Sequence, residues 1–253
     1  MRNLLSGWSA GEDSRLWQPN QTIAELGNES GVTTTMVGHS DYEDSGFTKV
    51  FMSGADFIAV NDLAQRAEKA HRSASAKKSL VYLYFAELDQ AAHRFGVASS
   101  QWLAALEAVD SAVGILSGPY GLIVTADHGV IDVVPANHIY LDSLPGYVEA
   151  VTLAVGDPRA LYCYGDLAAA KSALTAAGTP CYMATFEELL SKGWVQGTQT
   201  IDVVPDFVLI ARGDVAFYDR RTAKPQSLKM IGQHGAIDDR ETRVPLLLGG
   251  AFA

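Results

Sequence analysis

The stretch Leu122-Ile-Val-Thr-Ala-Asp-His-Gly129 runs an apolar segment straight into two adjacent side chains of metal-ligand type and a glycine. The apolar part reads as a buried strand. A parallel sheet delivers its polar residues at the carboxyl ends of its strands, where loops open into a crevice. Upstream, Ser99 or Ser100 is placed to cap a helix in which Trp102, Leu103, Leu106, Val109, Val113 and Leu116 recur at three- and four-residue spacing until Gly118-Pro119 ends it. Before that helix stands Val81-Tyr-Leu-Tyr-Phe-Ala-Glu-Leu-Asp-Gln-Ala-Ala-His-Arg-Phe-Gly96, whose first part, with Leu80 before it, reads as a second buried strand from Leu80 to Leu88. It ends at Asp89, with His93 four positions on. Strand, helix, strand is the right-handed crossover that builds parallel sheets, so the chain is expected to be α/β with Asp89 and Asp127 on one rim.

The same alternation extends outward. Gly31 to Val37 and Phe57 to Val60 read as short strands, and Leu63 to Ser73 as a helix. Beyond Val130, Glu149 to Val155 and Arg159 to Tyr164 read as strands joined by the turn Gly156-Asp-Pro. An alanine-rich helix over Asp166 to Ala177 follows, and another opens at Thr185 with Glu188 three positions later. This stretch is expected to form a small inserted subregion. Phe207 to Ala211 and Val215 to Tyr218 read as strands before Gly232-Gln-His-Gly235, whose glycines permit a tight turn that projects His234 ahead of Val244-Pro-Leu-Leu-Leu248. At 253 residues and 48% hydrophobic, the chain can bury one sizeable core, and residues 1–253 are expected to form a single domain.

Asp89, His93, Asp127, His128 and His234 supply the nitrogen and carboxylate oxygen donors that zinc accepts. The carboxylates would also suit manganese or iron. His39, His71 and His138 are left over. Singly, each residue has a plainer reading: Asp127 as a helix cap, His128 as partner of a loop carbonyl, His93 as a surface helix histidine, His234 as a loop histidine. The joint pattern is what points to a metal centre. Glu241 admits three readings: a group near the metal, a buried carboxylate orienting the His234 loop, or a surface charge. Lys77-Lys78 and Arg220-Arg221 read as solvated faces. The net charge of −10 argues against a nucleic-acid surface, which needs clustered Lys and Arg. Cys163 and Cys181 lack CxxC spacing and read as free, half-buried thiols. No apolar run reaches the roughly 18 to 20 residues of a membrane span and no signal peptide is visible, so a cytoplasmic location is expected. Oligomeric state leaves no readable trace.

Glu87-Leu-Asp89 with His93, Thr125-Ala-Asp-His-Gly129, and Gly232-Gln-His-Gly235 followed by Glu241 and Val244-Pro245 resemble the alkaline phosphatase superfamily. They are most similar to its type I phosphodiesterase/nucleotide pyrophosphatase branch. The resemblance implies a mostly parallel central sheet with helices on both faces. It also implies two divalent ions, zinc first among them, with Asp89, His93 and His234 on one and Asp127 and His128 on the other. The implied activity is hydrolysis of a small-molecule phosphate ester, a nucleotide among the candidates, by double displacement at phosphorus through a covalent phospho-enzyme. The implied partners include neither nucleic acid nor membrane. Relatives also carry an aspartate at the end of their first strand and a threonine or serine nucleophile at a helix start, and neither is recognisable here. Trp17 to Leu26, Gly31 to Gly38 and Ser45 to Thr48 resemble the segments on the carboxyl side of that nucleophile, so the chain reads as beginning partway into the domain. Thr33, Thr34, Thr35, Ser40 and Ser45 are the nearby hydroxyls, and none is assigned as nucleophile. Alternatives are a phosphomonoesterase, phosphonate hydrolase, sulfatase or phosphoglycerate mutase relative, and a non-catalytic metal-binding remnant.

Overall fold

The protein is represented by a computed structural model that describes Gly7, residues 14–195 and residues 204–253; Met1 lies outside them. After α1 (Ser14–Trp17), α2 (Ile23–Glu29) begins at a reciprocal cap. Thr22 Oγ1 accepts from the Glu25 amide at 3.1 Å and Glu25 accepts from the Thr22 amide at 2.9 Å, an arrangement that contributes about 1 kcal/mol. Next come β1 (Thr33–Gly38), α3 (Gly46–Phe51), β2 (Asp56–Ala59), α4 (Leu63–Ala74) and β3 (Ser79–Leu83). Ser45 caps α3 and Asp62 caps α4. β1 lies between β2 and β3 and is parallel to both, with Thr35 opposite Asp56 on one side and Val81 on the other. Its burial from Thr34 to Gly38 explains why the segment shows no polar alternation.

The expected strand from Leu80 to Leu88 is shorter than read. β3 stops at Leu83, and Glu87–Phe95 is a helix, α5, in which Asp89 is the third residue. Glu-Leu-Asp-Gln-Ala-Ala is rich in helix formers. The helix start is fixed by Arg66 of α4, 1% exposed, which donates to both Glu87 oxygens at 2.9 and 3.2 Å and to the carbonyls of Val60, Asn61 and Tyr84. The helix α6 (Ser100–Gly114) follows, capped by Ser99, whose Oγ accepts from the Trp102 amide at 3.1 Å.

The remaining elements are β4 (Gly121–Thr125), β5 (Ile131–Asp132), β6 (His138–Tyr140), α7 (Tyr147–Ala150), β7 (Val151–Asp157), β8 (Ala160–Gly165), α8 (Leu167–Ala176), β9 (Cys181–Ala184), α9 (Phe186–Ser191), β10 (Phe207–Ala211), β11 (Ala216–Tyr218), β12 (Gly232–Gln233), α10 (Asp239–Thr242) and β13 (Leu246–Gly250). The chain divides into two compact units. One takes in residues up to Leu88 with Ala104–Val124 and Leu246–Ala253; the other takes in Asp89–Leu103 and Thr125–Pro245.

In the first unit the sheet order is β2-β1-β3, and β4 pairs with β13. Among the described residues β3 and β4 are thus not hydrogen-bonded neighbours. In the second unit β7-β8-β10-β9 form an antiparallel sheet, with Leu209 of β10 opposite Leu161 and Met183. Its core holds Leu141, Tyr147, Val151, Leu174 and Phe207, all fully buried. The expected inserted subregion is part of this sheet. Two short ladders complete the unit, the parallel pair β11–β6 and the antiparallel pair β12–β5.

Arg220 and Arg221 do not simply face solvent. Arg220 is paired with Asp142 at 2.8 Å, and Arg221 with buried Asp219 at 2.6 Å. Cys163 and Cys181 are free, but Cys163 is fully buried and burial pushes its thiol up to about 12. Among the described residues no helix is long and apolar enough to cross a membrane.

Candidate metal centre

Asp89 and His93 are one turn apart on α5, which puts them on the same helix face. His93 Nε2 lies 3.3 Å from Asp89 Oδ2. Its other ring nitrogen, Nδ1, is 2.8 Å from the Gly232 carbonyl and can only donate there, so Nε2 is the nitrogen that carries the lone pair whenever the ring is neutral. The backbone repeats the attachment, because the Ile231 amide donates to the His93 carbonyl at 2.8 Å. Gly232 makes the close approach possible: a Cβ there would stand 2.5 Å from the Ala92 carbonyl oxygen. The next residue, Gln233, is wholly buried and donates to the Tyr218 hydroxyl at 2.9 Å and the Met230 carbonyl at 3.1 Å. It anchors the segment from which His234 projects.

The His234 ring lies 5.2 Å from His93, tilted by 42°, and is stacked on His128 at 3.6 Å and 18°. Ligand atoms of Asp89, His93 and His234 all fall within 4.8 Å of one another. Asp89 Oδ1 is buried and has no hydrogen-bond partner among the described residues. A buried carboxylate oxygen without a donor is costly, and a cation among these groups would satisfy it. One carboxylate and two imidazoles also leave a coordination position open, as catalytic zinc sites do. The residues present therefore fit a divalent ion.

Electrostatics favour the ligand forms of Asp89 and His234, whereas His93 must give up a proton to become a ligand. Burial pushes the Asp89 carboxyl up, but the hydrogen bond and charge of His93, with His234 and His128, outweigh it and hold it below its ordinary range. The Asp89 hydrogen bond raises His93 against burial, helped by the Gly232 carbonyl and by Asp157. His234 is lowered by burial and by neighbouring His128, with Asp157 and Asp89 opposing, so its imidazole is neutral near neutral pH.

Asp127 and His128 follow β4 as read. His128 Nδ1 is 3.0 Å from the Gly129 carbonyl, and its Nε2 is 3.7 Å from Asp127 Oδ1. His128 thus joins the imidazole stack. Asp127 stays outside the Asp89, His93 and His234 group: its side chain is 71% exposed and accepts from the His128 amide at 3.1 Å. The other histidines are accounted for elsewhere. His39 caps a short turn at Asp41, His71 is bonded to the Tyr120 hydroxyl at 2.7 Å, and His138 packs on Tyr218. Of the hydroxyls upstream, Thr34 and Thr35 are buried in β1 and Ser45 caps α3.

Sequence reasoning missed Asp157, Arg159 and Gln233. Gly156-Asp-Pro reads as the turn, but Gly156 and Asp157 end β7 and the turn falls at Pro158 and Arg159; nothing local says that this brings Asp157 Cβ within 3.3 Å of the Cβ position on Gly235. Only the pairing of distant strands does so.

The family model for type I phosphodiesterase / nucleotide pyrophosphatase matches residues 5–237. The chain belongs to that family. Among solved structures it is similar to human ectonucleotide pyrophosphatase/phosphodiesterase 5, with 14% identity, 94% of this chain and 66% of that one covered, and a TM-score of 0.68. An inactive variant of the murine protein in complex with AMP matches with 16% identity, 89% and 62% coverage and a TM-score of 0.62. Phosphonoacetate hydrolase from Sinorhizobium meliloti, in complex with phosphonoacetate, matches with 14% identity, 89% and 67% coverage and a TM-score of 0.59. The phosphodiesterase family chain thus spans about two thirds of the length of these relatives and shares their alkaline phosphatase-like α/β fold. No curated protein sequence matches it.

Proposed function

We propose that this family member is a metal-dependent phosphoric ester hydrolase, acting as a phosphodiesterase or nucleotide pyrophosphatase on a small-molecule ester. The observation that carries the proposal is the convergence of Asp89, His93 and His234 around an unsatisfied Asp89 oxygen. The relatives bound to AMP and to phosphonoacetate support a small phosphorus-containing substrate, with a nucleotide the first candidate. The net charge of −10 gives no support to a nucleic-acid partner.

In this reading Asp89, His93 and His234 hold one ion and Asp127 and His128 a second, zinc in both cases. Zinc supplies Lewis acidity toward a phosphoryl oxygen and lowers the pKa of an attacking water or hydroxyl. The protein's share is preparation. The Gly232 carbonyl fixes the His93 proton on Nδ1, burial keeps His234 neutral, and the imidazoles keep Asp89 ionised. The nucleophile is left unassigned.

The test is hydrolysis by the native protein, loaded with zinc, of nitrophenyl phosphate diesters against the monoester, a phosphonate and a sulfate ester. Fastest turnover of the diester, lost on chelation, supports the proposal; a sulfate or monoester leading the series moves the protein to another branch, and no turnover on any ester rejects hydrolysis. One observation favours a second reading, a metal-binding protein without hydrolysis: Asp127 is largely exposed and is not among the three residues whose ligand atoms converge. Elemental analysis separates them, because the hydrolase reading requires two ions per chain and the alternative one.

A further inference from the structure

We infer that Arg159 and Glu241 form a buried clamp that positions the His128 and His234 imidazoles against each other. Both partners are sealed from solvent, with side chains 0% and 1% exposed. Arg159 donates to Glu241 Oε1 from Nε at 2.9 Å and from Nη2 at 2.6 Å, and its Nη1 donates to the carbonyls of Gly213 at 2.9 Å and Val215 at 2.6 Å. The other Glu241 oxygen, Oε2, accepts from the Ala236 amide at 2.9 Å, two residues beyond His234. The Glu241 backbone carbonyl accepts from the Gly129 amide at 2.7 Å, one residue beyond His128. A single residue of α10 is therefore bonded to both histidine segments. The approach is close enough that a Cβ on Gly129 would collide with the Arg240 carbonyl.

Burial of two charges is expensive, and such a pair seldom stabilises a fold more than apolar residues of the same volume would. Here the side-chain bond that Glu241 makes beyond Arg159 leads to the His234 segment, and its backbone carbonyl holds the His128 segment. Arg159 balances the Glu241 charge and, through Gly213 and Val215, ties it to the chain between β10 and β11. The pair touches no substrate group; its part is positioning. The inference extends the proposed metal centre and rests on that reading for its effect on metal affinity, although the clamp itself acts on the rings with or without an ion.

The experiment uses Glu241→Ala, Glu241→Gln, Arg159→Met and the double variant Arg159→Met/Glu241→Gln, the last leaving no unpaired buried charge should a single variant fail to fold. Far-UV circular dichroism establishes folding. Histidine resonances of the metal-free protein are then recorded, followed by titration with Zn2+ alone and the visible spectrum with Co2+. The expected result is displacement of the His128 and His234 resonances with His71 unmoved, a loss of Zn2+ affinity of about 10- to 100-fold, and an altered Co2+ spectrum. The two single variants should not add, because each breaks the same unit. Folded variants with unmoved resonances and wild-type Zn2+ affinity overturn the clamp. Displaced resonances in a wild-type background that binds no Zn2+ support the clamp and reject the metal assignment instead.

Discussion

Asp89 and His93 each hold the other in its charged form. Asp89 sits below its ordinary value of 3.8, so its contribution to stability is present above that pH and is lost as pH falls through the lower folded value. His93 sits above its ordinary 6.5, so its contribution is present below that pH and is lost as pH rises through the higher folded value. Both contributions are complete only between about 3.8 and 6.5. For the metal-free protein, Asp89→Asn should therefore lower the melting temperature most within that window and less once pH rises through the raised His93 value; a pH-independent difference would contradict the pairing. His93→Ala and His234→Ala should each weaken zinc binding beyond the about 10- to 100-fold typical of groups around the ligands, measured by competition with a chromophoric chelator. At this scale the sequence was informative about residue type. What it lacked was geometry: the exposure of Asp127, the orphan oxygen of Asp89 and the approach of Asp157 come from contacts among residues far apart in the chain.

Among elements, α5 shows where pattern reading failed. Tyr82 to Leu88 is apolar enough to pass for strand throughout, but a buried Arg66 waiting for Glu87 cannot be seen along the chain, and it sets the start of the helix. The outcome improves the chemistry, since a four-residue spacing converges on a helix and diverges from one face to a distant point on a strand. Elements with their own punctuation were legible: the helix read from Leu63 starts there behind an Asp62 cap, Asp166 and Thr185 cap the helices read from them, and β10 keeps its predicted bounds. The glycines beside the histidines lead to a prediction. Gly129→Ala forces a Cβ into the Arg240 carbonyl and Gly232→Ala one into the Ala92 carbonyl. Each should cost roughly 1–3 kcal/mol, the range for overpacking, visible as a lower midpoint in urea. Gly114→Ala, where a Cβ meets nothing within 4 Å, is the control and should not destabilise.

For the whole molecule, the α/β class was legible because alternation of strand and helix is written in local periodicity. The strand order was not, since parallel pairing joins segments separated by a crossover and leaves no local mark. The crossover reading gives no partners for the two strands, and β3 pairs with β1 while β4 pairs with β13. The division into two units has a thermodynamic consequence. Asp89, His93, Asp127, His128 and His234 all fall within Asp89–Leu103 and Thr125–Pro245, so an ion held as proposed would deliver its binding free energy to that unit. An ion that binds only the folded form, at a free concentration 100 times its dissociation constant, stabilises by about 2.7 kcal/mol. Zinc should accordingly raise the melting temperature and EDTA should reverse the rise. The distribution is the sharper test. Amide exchange should slow on zinc binding in α5, which carries Asp89 and His93, and in β5 and β12, which adjoin the His128 and His234 segments, while β1, β2 and β3 exchange as before, because no candidate ligand lies in that sheet. Equal slowing in both units would mean that they open together and that the metal stabilises the chain as one cooperative body; slowing confined to the first unit would place the ion elsewhere.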